Sequence, residues 1–88
     1  MAWRIVKQPN GLYARFSDVV DDFTHYDMTE EEAVDLCLDY LGRQDSREKV
    51  GRAKQHPERY EDEFETIKIV HGESVARERR DMMEPRPG

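Results

Sequence analysis

The chain predicts an α+β fold: a small antiparallel β-hairpin or three-stranded meander packed against two or three α-helices. Three observations carry that expectation. A strand–turn–strand signal occupies the first sixteen residues, a helix-capping signature begins at Thr29, and apolar residues recur at helical spacing from Tyr60 onward.

Trp3 to Gln8 mixes aromatic, β-branched and polar side chains in the manner of a half-buried strand. Pro9-Asn10-Gly11 then supplies a turn. Proline presets φ, and Gly11 takes the left-handed conformation that closes a three-residue hairpin loop. Leu12 to Phe16 returns as the second strand, Ser17 to Asp22 reads as a bend, and Phe23 to Tyr26 suits a short third strand. Thr29 is the N-cap of a first helix, with Glu32 as its capping-box partner and Met28 placed to staple onto the first turn. Ala33, Val34, Cys37, Leu38 and Leu41 form that helix's apolar stripe, and Gly42 is expected to end it.

Asp45 or Ser46 is expected to cap a weaker second helix running to about His56, exposed or frayed because only Val50 and Ala53 are apolar. Pro57 suits the first turn of a third helix, whose face is Tyr60, Phe64, Ile67 and Val70 and whose end is His71-Gly72. Residues 1–72 thus read as one α+β domain. Residues 73–88 read as a charged tail, helical or disordered, rich in arginine at 77, 79, 80 and 86.

With 88 residues there is room for one modest core, and 39% charged residues against 36% apolar leave much of the surface charged. A single cysteine, Cys37, excludes an internal disulfide and suits a cytosolic setting. No apolar run approaches a membrane span or a signal peptide, so the expected location is the cytoplasm.

Templates for catalysis and for cofactors find no match. The sequence has no phosphate-binding loop, dinucleotide fingerprint or nucleophile elbow. His25, His56 and His71 lie far apart and lack zinc-site spacing. Asp18, Asp21 and Asp22 could hold a hard cation, but they lack an EF-hand's spacing and glycine and read first as a solvated bend. Cys37 sits on an apolar stripe of an acidic helix, where it acts as a small hydrophobe. The expectation is a non-enzymatic protein with no cofactor and no metal.

The net charge of −6 is unevenly spread. Phe16 to Gly42 holds nine carboxylates and no lysine or arginine, which leaves the rest of the chain at +3. Such a stretch either solubilises the protein or presents a surface to a basic groove, imitating a phosphate track. The candidate partner-binding residues are Asp18, Asp21, Asp22, Asp27, Glu30, Glu31, Asp35 and Asp39, with Trp3, Tyr13 and Tyr26 as aromatic anchors. Arg4, Lys7 and Arg15 could line a nucleic-acid platform on the hairpin beside Trp3 and Tyr13, but a pI of about 5.0 argues against direct nucleic-acid binding.

The segments Trp3–Gly11 (WRIVKQPNG), Tyr13–Ser17 (YARFS), Val20–Thr24 (VDDFT) and Met28–Ala33 (MTEEEA) resemble a family of small bacteriophage and prophage proteins. The resemblance spans residues 3 to about 41, with a weaker echo at 67–72, and carries over no functional residue. It implies a context in which small acidic accessory proteins act against host machinery, including CRISPR–Cas defence, some by imitating nucleic acid. The leading expectation is therefore an anti-CRISPR-type inhibitor. It would occlude, stoichiometrically, a host protein or ribonucleoprotein complex that has a basic groove. The alternatives are an assembly accessory protein that self-associates, and a small nucleic-acid regulator using the hairpin and arginine tail.

Overall fold

The computed structural model describes residues 2–84, so Arg86 of the expected tail lies outside the described residues. Three strands, β1 (Trp3–Lys7), β2 (Tyr13–Ser17) and β3 (Asp22–Met28), form an antiparallel meander in the order β1-β2-β3. Four helices follow: α1 (Glu30–Leu38), α2 (Arg43–Gln55), α3 (Arg59–His71) and α4 (Glu73–Met83). The α+β class read from the sequence is the one observed.

The hairpin forms as its turn residues dictate. Gln8 N–H donates to Leu12 O at 2.8 Å and Gly11 N–H to Gln8 O at 3.0 Å, leaving Pro9-Asn10-Gly11 as the loop. Gly11 has φ +87°, where a Cβ would be strained. The pairing of Lys7 with Tyr13 and Trp3 with Ser17 fixes which side chains share a face.

Both faces of the sheet are covered. On one, Trp3, Ile5, Tyr13 and Met28 pack with Ala33 and Cys37 of α1 and with Val50 and Ala53 of α2. On the other, Val6, Ala14 and Phe16 meet Tyr60, Phe64 and Ile67 of α3 and Met83 of α4. The molecule is a helix–sheet–helix sandwich around two apolar clusters, and α3 lies on the opposite face from α1. Strand alternation produces this: β1 and β2 carry apolar residues at both parities, so each face has something to bury.

Several boundaries differ from expectation. The Thr29–Glu32 capping box is present in full, but α1 ends at Leu38, and Gly42 caps the start of α2 instead of closing α1. Helix α2 is not peripheral. Ser46, Val50 and Ala53, at spacings of four and three, are buried against the sheet, so a narrow stripe on a polar helix suffices. Val70 is half exposed, because α3 turns its Tyr60–Phe64–Ile67 line inward and leaves Val70 at its edge. The segment after Gly72 is a helix that closes the second cluster with Met83, only 1% exposed. Its arginines hold it down: Arg79 Nε meets Asp22 at 2.9 Å and Arg80 Nη2 meets Glu61 at 2.7 Å. Ion pairs with acids elsewhere in the chain are what composition could not reveal.

Candidate functional site

The acidic stretch divides into residues that hold the fold and residues that face solvent unpaired. In the β2–β3 bend, Asp18 accepts from Arg4 Nη1 through both oxygens at 3.0 Å, while Asp22 takes Arg79 Nε from the other end of the chain. Asp27 sits in a left-handed conformation (φ 57°) beside the irregular stretch of the β2–β3 pairing. Its N–H donates to Gln8 Oε1 at 2.6 Å, and its Oδ1 accepts from Gln8 Nε2 at 2.9 Å and Asn10 Nδ2 at 3.2 Å. Three of the eight candidate acids are therefore internal latches. Gln8, 2% exposed, satisfies both ends of its amide in one of them.

Glu30, Glu31, Asp35 and Asp39 are different. All four are exposed on or just beyond α1, and none has a cation within ion-pair distance among the described residues. Glu31, Asp35 and Asp39 stand four residues apart, about 6 Å along the helix from one to the next. They form one stripe. Beside it, Glu30, Glu31, Val34, Asp35 and Leu38 form one wall of a 540 Å³ groove whose other wall is Arg43 and Arg47 of α2. Asp21, also without a cation partner among the described residues, occupies a left-handed turn position (φ 51°) at the far bend.

The aromatic anchors separate likewise. Trp3 and Tyr13 are core residues, 8% and 3% exposed, and only Tyr26 of the three is open to solvent. Burial, with the Glu30 carboxylate adding to it, raises the Tyr13 hydroxyl above its ordinary range. Tyr40, not singled out from sequence, is 59% exposed and packs against Trp3 in a tilted pair, ring centroids 5.3 Å apart and planes at 52°.

No family model, curated protein or solved structure matches this chain.

The hairpin platform of Arg4, Lys7 and Arg15 does not assemble. Arg4 and Arg15 project from opposite faces of the sheet: Arg4 reaches Glu63 on α3, and Arg15 lies over Trp3 and Tyr40 on the α1/α2 side. Arg4 is further committed to Asp18, and Arg77 pairs with Glu73. Lys49 of α2 places its Nζ 4.5 Å from the Trp3 ring centroid. This contact joins residues far apart in sequence and had no local signal.

Cys37 is wholly buried, and burial pushes its thiol up, the reverse of what nucleophilic activation requires. Each histidine has a nearby polar partner: Thr24 for His25, Glu58 for His56 and the Val20 carbonyl for His71. Among the described residues no three His, Cys, Asp or Glu side chains converge as a metal site, and no helix is long and apolar enough to cross a membrane.

Proposed function

We propose that this protein is a stoichiometric binding protein that occupies the basic groove of a nucleic-acid-handling complex, using the carboxylate stripe of α1 in place of a phosphate track. One observation carries the proposal: Glu30, Glu31, Asp35 and Asp39 are exposed with no ion-pair partner among the described residues, whereas Asp18 and Asp22 of the same stretch are engaged by Arg4 and Arg79. Evenly spaced charge on a rigid helix speeds encounter and selects orientation. The capping box and the buried Ala33 and Cys37 hold that helix on the sheet, so the stripe is presented without an ordering cost. The resemblance to phage accessory proteins supplies the context: a host defence complex, of the CRISPR–Cas kind, is the target class.

The test is affinity capture from nuclease-treated bacterial lysate with the wild-type protein and with Glu31→Gln/Asp35→Asn/Asp39→Asn. The expected result is one nucleic-acid-handling complex, eluted by moderate salt, competed by its own nucleic acid and lost with the triple variant. Equal capture by both proteins would refute the stripe as the contact.

A second reading, self-association as an assembly component, is favoured by a different surface. The His71 contact with the Val20 carbonyl brings exposed Val19 and Val20 beside half-exposed Val70. Sedimentation at rising concentration decides it: a monomer throughout removes this reading.

A further inference from the structure

Two cations of this acidic molecule gather around its single tryptophan. Trp3 is clasped by two cations, with Arg15 Cζ 5.0 Å and Lys49 Nζ 4.5 Å from the ring centroid. Tyr40 covers part of the same ring and lies 5.4 Å from Arg15 Cζ. Neither cation has a carboxylate within ion-pair distance among the described residues, and Arg15 Nε is buried without a hydrogen-bond partner. Lys49 is half-buried; burial lowers its pKa, Cys37 opposes that, and the charges of Arg52, Arg59 and Arg4 add to the lowering. Such a cluster is electrostatically unfavourable as it stands, and an anion relieves it. Asp45 lines the small hollow beside Lys49 with Leu41 and Arg52, yet among the described residues it makes no ion pair with Lys49.

We propose that Arg15, Lys49 and Tyr40 form a binding site for a single-stranded nucleic acid, with the strand's phosphates drawn to the two cations and a base stacked on the exposed Tyr40 ring. Aromatic faces beside unpaired cations are the elements from which sequence-tolerant single-strand sites are made. A base supplies a π-face to stack on the exposed Tyr40 ring, which a carboxylate side chain does not. The α1 stripe is made of other residues, with Asp39 next to Tyr40 in sequence, and the site does not depend on the function proposed above.

Trp3 makes the site its own reporter. Titration with a short fluorescein-labelled oligothymidylate at low salt is followed by Trp3 fluorescence and by anisotropy of the label. The expected result is saturable Trp3 quenching that tracks the anisotropy. Lys49→Gln and Tyr40→Ala weaken binding about tenfold, the scale of one lost stack or contact. Lys68→Gln, on α3, leaves it unchanged, and Asp45→Asn strengthens it. Circular dichroism verifies that each variant is folded; Asp45→Asn, at an exposed position, carries the test if Tyr40→Ala does not fold. Absence of saturable binding overturns the proposal. So does binding indifferent to both Lys49→Gln and Asp45→Asn, and so does equal competition by polyglutamate, which would identify an acidic protein as the ligand class.

Discussion

Removing Arg4 should damage the protein more than neutralising its buried partner. Glu63 has a side chain only 4% exposed, and its two oxygens accept from Arg4 Nε at 2.6 Å and Nη2 at 2.8 Å. Arg4 is about one-third exposed and also reaches Asp18, so it keeps partial solvation and a second acceptor if Glu63 is lost. Arg4→Met leaves a carboxylate buried without a counter-charge. Stranding one member of a buried pair costs about 3–5 kcal/mol, and the open side of this pair places the loss at about 2–4. Glu63→Gln preserves shape and one acceptor and should cost about 1–2 kcal/mol. Arg4→Met/Glu63→Leu should recover most of the Arg4→Met loss, because no unpaired charge remains. Urea unfolding monitored by Trp3 fluorescence measures all three, and about 1 kcal/mol corresponds to roughly 4–8 °C in Tm for a domain of this size. Equal costs for Arg4→Met and Glu63→Gln would refute the reasoning.

Met83→Ala should cost about 2–4 kcal/mol by opening a cavity against Tyr60 and Phe64, and a chain ending at Gly72 should melt at lower temperature than the full chain in calorimetry. Thr29→Ala should cost about 1 kcal/mol in urea unfolding, since it removes the acceptor for Glu32 N–H and half of the capping box. Cys37 and Tyr60 both have folded pKa values raised first by burial, so their protonated forms are favoured in the native state. Stability should be fully present below the unfolded Cys value of about 9 and fall as pH rises through the folded values. An aromatic disulfide reagent should label Cys37 only under unfolding conditions, and rapid labelling of the native protein at pH 8 would contradict its burial.

What could be read from the chain alone was local. Pro9-Asn10-Gly11 makes a hairpin because only certain residues adopt those dihedrals, and Thr29 with Glu32 starts a helix because they satisfy orphan N–H groups within one turn. The acid-rich character of residues 16–42 is likewise composition and needs no structure. Tertiary structure decided what those charges do. It spent Asp18, Asp22 and Asp27 on Arg4, Arg79 and Gln8, and left the α1 stripe unpaired. It buried Trp3 and Tyr13, exposed Tyr40, separated Arg4 from Arg15, and brought Lys49 to Trp3 across more than forty residues. It also drew the charged C-terminal segment into the core through Met83 and two arginine pairs. Backbone dihedrals and caps are satisfied by near neighbours, whereas a charge takes whichever partner the packing of two helical layers on one sheet brings within reach.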